Sequence, residues 1–157
     1  CFDWTYGWVG SGSYWIAEQA DGVGDRGIEA DNNGDNNSAS PFSNPTLENI
    51  TLTGYIGSES DGMKLREGTK GDISNVLISN FKDGVEVEHE VTVKNAGSGE
   101  LALSGIKVVG STGSIFAIKG AANASDSTSA ASALEQAIDG SGTGAGTDWL
   151  SGWTKSL

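Results

Sequence analysis

The amino-acid sequence predicts an all-β fold, a parallel β-helix (solenoid) of about four coils with one short helix near the C-terminal end, and three observations carry that prediction. Two series of short strand-like segments alternate along the chain. Hydrophobic residues make up 36% of it and fall in brief alternating runs, so the core they build is thin rather than absent. The breaks between runs are made of Gly, Asn, Asp and Ser, with 24 glycines against two prolines, so the chain turns often without being stiffened.

The first series reads glycine, apolar, charged, apolar, charged: Gly27-Ile28-Glu29-Ala30-Asp31, Gly62-Met63-Lys64-Leu65-Arg66 and Gly84-Val85-Glu86-Val87-Glu88. Alternation of this kind gives each segment one buried and one solvated face, as a strand requires. The second series is Asn49-Ile50-Thr51-Leu52-Thr53, Asn75-Val76-Leu77-Ile78-Ser79 and Gly105-Ile106-Lys107-Val108-Val109. Intervals of 35 and 22 residues in the first series, and of 26 and 30 in the second, lie in the solenoid range and are too long for hairpin partners. Equivalent strands therefore stack in parallel, about 4.8 Å apart. The inward positions are Ile28, Ala30, Met63, Leu65, Val85 and Val87, with Ile50, Leu52, Val76, Ile78, Ile106 and Val108 from the second series.

One segment has the helical period instead. Ala130, Ala131, Leu134 and Ile138 recur at three- and four-residue spacing, with Asp126 or Ser127 as N-cap and Gly140 just past the end. The chain thus divides as one β-helix domain over 1–157: coils over 1–123, a helix over 124–140 that covers the last strand edges, and a glycine-rich connector with an aromatic tail over 141–157. The tail repeats, at Asp148-Trp149-Leu150-Ser151-Gly152-Trp153, the pattern of Asp3-Trp4-Thr5-Tyr6-Gly7-Trp8.

The formal net charge is -12, with 21 acidic against nine basic residues, which argues against nucleic acid or an anionic membrane surface as partner and for cations as counter-ligands. No run approaches the roughly 18 apolar residues of a membrane span. The lone cysteine, Cys1, has no internal disulfide partner and is expected as a core thiol.

Phe2-Asp3-Trp4, Gly7-Trp8, Gly24-Asp25-Arg26-Gly27-Ile28-Glu29-Ala30-Asp31-Asn32-Asn33, Ser43-Asn44-Pro45-Thr46-Leu47 and Leu65-Arg66-Glu67-Gly68-Thr69 together form a signature spread over most of the chain. It resembles the C-terminal part of bacterial secreted or surface lipoproteins built on a right-handed parallel β-helix. The resemblance implies a right-handed coil and an extracellular or cell-surface location, and it brings no defined activity. Such relatives carry further coils ahead of the Phe-Asp-Trp segment, so the first coil here is expected to present an open strand edge, a template for another copy.

Candidate chemistry is sparse. Asp31, Asn33 and Asp35, followed by Asn37, place oxygens at alternate positions and suit calcium, although an EF-hand would need Gly and Glu where Asn36 and Phe42 stand. The competing reading is an Asn/Asp turn that satisfies its own backbone. Parallel β-helices also host polysaccharide lyases, for which Arg26, Arg66 and Lys70 are the available bases and Glu67, Glu86, Glu88, His89 and Glu90 the acidic and titrating groups. The charge of the chain would repel a polyuronate. Glu86 and Glu88 read as the outward face of their strand, His89 as exposed at its end, and Asn49 with Asn75 as a stacked ladder. Trp4, Tyr6, Trp8, Tyr14 and Trp15 form either a glycan-stacking platform or, preferably, a packing and assembly surface, to which Trp149 and Trp153 contribute. The expected function is an extracellular structural or adhesive solenoid that self-associates end to end, the alternative being a carbohydrate-binding or lyase-like module of the same fold.

Overall fold

The computed structural model describes residues 1–55 and 60–146. Its elements in chain order are β1 (Phe2–Trp4), β2 (Ser11–Glu18), β3 (Arg26–Ala30), β4 (Thr46–Thr53), β5 (Asp61–Leu65), β6 (Gly71–Ser79), β7 (Asp83–Glu88), α1 (Glu90–Ser98), β8 (Leu101–Val109), β9 (Phe116–Lys119) and α2 (Ala124–Ala137). The odd-numbered strands form a five-stranded sheet in the order β1-β3-β5-β7-β9, and the even-numbered strands a four-stranded sheet in the order β2-β4-β6-β8. Every neighbouring pair is parallel. Each coil gives one strand to each sheet, so the fold is a parallel β-helix, and the two sequence series are its two sheets.

The register explains why the repeats have their composition. Phe2, Ile28, Met63, Val85 and Phe116 form one inward column of the five-stranded sheet, and Trp15, Ile50, Val76 and Ile106 one of the four-stranded sheet. Of the twelve positions expected inside, eleven are buried and Val108 is partly buried against the same core. A fully buried aliphatic side chain contributes about 1.5–3 kcal/mol, so such columns supply the main stabilisation of a thin core. The leading glycine of each first-series repeat is a spacing device. A Cβ on Gly27, Gly62 or Gly84 would strike Leu52, Ile78 or Val108 of its own coil and the backbone of the next strand. Glycine there lets the large residues of the opposite sheet fill the interior.

Outside the two series the structure corrects several expectations. There are two helices, not one, among the described residues. The Glu90–Ser98 segment alternates β-branched residues, Val91, Thr92 and Val93, and reads like a strand end, yet it is α1, with Thr92, Val93, Asn95 and Ala96 buried. It is preceded by His89, the N-cap residue, at φ 75° and ψ 144° and without a side-chain cap hydrogen bond. In α2 the N-cap is Asn123, whose side chain accepts a hydrogen bond from the Asp126 amide at 3.0 Å, rather than Asp126 or Ser127. Ala130 and Leu134 of α2 are buried, and the helix packs on α1, β8 and β9, over the last strands of both sheets. Cys1 is exposed, because the alternation that turns Phe2 inward beside Ile28 turns residue 1 outward.

The four-stranded sheet has one further regularity. Tyr14, Asn49, Asn75 and Gly105 occupy equivalent places in β2, β4, β6 and β8, and all have positive φ, between 52° and 61°. Asn tolerates this conformation better than most residues, because its short polar side chain bonds locally. Here Asn75 Nδ2 donates to Asn49 Oδ1 at 2.7 Å, which is the expected ladder.

Candidate functional site

The outer face of the five-stranded sheet collects nearly all the charged candidates. Because the side chain of every second residue points outward, Glu29, Lys64 and Glu86 stack in one column and Asp31, Arg66 and Glu88 in the next, with Lys119 beyond Glu88. The sign alternates from coil to coil in both columns. Arg66 binds Asp31 through Nε at 2.8 Å and also pairs with Glu29. Lys64 binds Glu86 and, at 3.0 Å, Glu88, while Lys119 closes the far side of Glu86. Arg26 pairs with Asp25 and Glu29 and lies 3.8 Å from Asp61. Lys70 binds Glu100 at 3.0 Å and sits over the Phe42 ring. Each basic residue considered as a lyase base is therefore engaged by at least one carboxylate.

Electrostatics follows from this pairing. Burial would raise the Glu86 carboxyl, but the hydrogen bonds from Lys119 and Lys64 outweigh it and hold Glu86 below the usual carboxylate range. Lys64 and Arg66 are pushed up, Lys64 by Glu86 and Glu88 against the cost of burial, Arg66 chiefly by its bonds to Asp31. Asp61 goes the other way: burial first, then the nearby charge of Glu86, raise it. Glu86 does face outward, yet it is only 3% exposed, because the two lysines lie over it.

At the corner after this sheet, Glu67, His89 and Gly120 follow one another with φ 54°, 75° and 68°. His89 is half-buried rather than exposed, and its Nδ1 accepts the Glu67 amide at 3.2 Å. Burial, and then the charge of Asp31, raise the Glu67 carboxyl. The imidazole therefore ties the turn between β7 and α1 to the corner between β5 and β6 in the coil before it.

In the polar loop, both carboxylate oxygens of Asp31 are held by Arg66, and Asn33 Oδ1 accepts the amides of Asp35 and Asn36 at 3.0 and 2.9 Å. Asp35 is exposed. Among the described residues no group of three or more His, Cys, Asp or Glu side chains is arranged to hold a metal ion.

The aromatic residues gather at the first coil. Trp4 is buried and donates through Nε1 to Thr69 Oγ1 at 3.2 Å, so it closes the interior rather than facing solvent. Trp8 lies 5.6 Å from Trp4 and 6.4 Å from Trp15, and Trp15 lies 4.6 Å from Phe2, centroid to centroid. These rings border an open cavity of about 380 Å³ together with Cys1, Asp3 and Thr5. Phe2 is the member that sequence reasoning missed; the apolar-charged-apolar alternation Phe2, Asp3, Trp4 was the available signal. Trp149 and Trp153 lie outside the described residues.

Residues 1–154 match the family model described as a pectate-lyase-like β-helix domain. Comparison with curated proteins and with solved structures gave no match.

Proposed function

The chain belongs to the pectate-lyase-like β-helix domain family, and from that premise we propose that it is a structural and adhesive module, extracellular or at the cell surface, that associates with its own kind through its first coil. The observation that carries this reading is the aromatic cluster of the first coil. Phe2 of β1, Trp15 of β2 and Trp8 between the two strands are partly exposed around an open cavity. Such side chains offer the large apolar area that favours association. The ion-paired state of Arg26, Lys64, Arg66 and Lys70 supports a scaffold over a lyase, since proton abstraction needs a base that is not already committed.

Light scattering over a wide concentration range tests this. The molar mass of the parent chain should rise with concentration, and Trp8→Ser should weaken association at least ~10-fold, about 1.4 kcal/mol, as expected when a central aromatic contact is lost. A parent chain that stays monomeric throughout would sink the proposal. A second reading has its own support, because Trp8 and Trp15 flank a cavity large enough for a sugar ring. A glycan array in which the parent binds and Trp8→Ser does not, with no change of mass, would favour that reading.

A further inference from the structure

The stretch 140–146, read from the sequence as part of a connector, is seated on the outer face of the four-stranded sheet. The Gly140 amide donates to the Ile106 carbonyl in β8 at 3.0 Å. Asn75 in β6 is the centre of the contact: its Oδ1 accepts the Thr143 amide at 2.7 Å, the Thr143 hydroxyl at 3.0 Å and the Gly144 amide at 3.3 Å. Its Nδ2 donates to the Gly144 carbonyl at 3.3 Å and to Asn49 Oδ1 at 2.7 Å. The Ala145 amide donates to Thr51 Oγ1 in β4 at 3.0 Å, and Ala145 is buried. Glycine makes the close approach possible: a Cβ on Gly142 would strike the Val76 and Gly105 carbonyl oxygens, and one on Gly144 would strike Thr51 and Leu77. One short strap thus holds β8, β6 and β4 at once.

In a stack of coils each coil meets only its neighbours, so stability is close to a sum of nearest-neighbour terms and one coil can open without the rest. In the four-stranded sheet β8 and β4 are not neighbours, because β6 lies between them. The strap therefore adds a coupling of a range that the ladders themselves lack. Opening of β8 must either break the bonds to Asn75 and Thr51 or leave the chain between β7 and the strap pinned at both ends. The first route loses several hydrogen bonds together, and the second releases less entropy, because the freed chain stays a closed loop.

We propose that the 140–146 strap is a latch that makes β4, β6 and β8 open as one cooperative unit, with the Asn75 carboxamide as its keystone. The latch accounts for the glycines at 142 and 144 and for a carboxamide in β6, whose oxygen and nitrogen bond the strap from both sides. It lies on the face of the sheet and uses none of Phe2, Trp8 and Trp15, so it stands or falls separately from association through the aromatic cluster.

Native-state hydrogen exchange on the full chain, read amide by amide, tests it. In the parent the strand amides of β4 and β8 should share one level of protection. Gly142 lies outside the left-handed region, so Gly142→Ala adds only the clash with the sheet and unseats the strap. In that variant the protection of β8 should fall at least ~10-fold further than that of β4, as the loss of several net hydrogen bonds implies. Thr51→Val removes the acceptor of the Ala145 amide and keeps a β-branched side chain in β4, and it should separate the two strands in the same sense by a smaller factor. Thr51→Val alone decides the matter if Gly142→Ala does not fold. Equal losses in β4 and β8, faster exchange confined to Thr143, Gly144 and Ala145, or a parent in which β8 already exchanges faster than β4 would each overturn the latch.

Discussion

Asp61 and Glu86 share one outer face and are driven in opposite directions by their neighbours. Asp61 is shielded from water and feels Glu86 and Asp83, with Arg26 at 3.8 Å as a distant counter-charge, so its proton is held more tightly in the folded chain than in the unfolded one. A raised carboxyl favours folding when protonated and loses that contribution as pH rises through its folded pKa, so at neutral pH the ionised group opposes folding. Asp61→Asn is expected to raise the melting temperature at about pH 7 and to leave it unchanged at about pH 3, below the ordinary carboxylate range. Glu86 has the reverse sign: its contribution is present above the unfolded carboxylate range and is lost as pH falls through its depressed pKa. Glu86→Gln should therefore cost stability at neutral pH. Melting curves of both variants across the acid range decide the matter, and parallel behaviour of the two would contradict the pairing described.

At the scale of elements, the polar loop after β3 shows how a local motif is claimed by its neighbours. Asp31 lies at the end of β3, directly beside Arg66 at the end of β5, and stacking brings the guanidinium onto both carboxylate oxygens. A cation in this loop becomes a competitor of Arg66. Arg66→Met frees Asp31, so the melting temperature of that variant should rise on adding millimolar calcium by more than that of the parent. If calcium moves neither, the loop is an Asn/Asp turn whose oxygens serve its own backbone. Helix α1 gives the same lesson for secondary structure. Its sequence suits a strand, but the positive φ of His89, the Glu67 amide on its imidazole, and the burial of Thr92 and Asn95 against the Gly68 and Thr69 backbone turn it into a helix.

For the whole molecule, the decisive quantity is the net charge of -12 set against the apolar cluster of the first coil. Like charges oppose association, and their range is cut to about 10 Å at 0.1 M salt. Association through the apolar first coil should therefore tighten as ionic strength rises, the reverse of an ion-paired interface, and light scattering at low and high salt distinguishes the two. Weakening by salt would assign the contact to the charged face of the five-stranded sheet.

The parallel stack follows from the repeat pattern alone. Alternation at Ile28/Ala30, Met63/Leu65 and Val85/Val87, recurring at intervals too long for hairpins, leaves few other ways to bury those side chains, and the Asn49–Asn75 ladder follows from the same spacing. Even the charge lattice was legible, because the third and fifth positions of the first series change sign from one repeat to the next: Glu29, Lys64, Glu86 and Asp31, Arg66, Glu88. The folded stack then selects which partner each group meets when several are chemically suitable. His89 had the choice of solvent or the Glu67 amide, Trp4 of a surface or the space above Thr69, and the glycines after residue 139 of a free linker or the face of the four-stranded sheet. Each choice depends on contacts between residues tens of positions apart, brought together by the stack, and local sequence pattern carries no record of those distances.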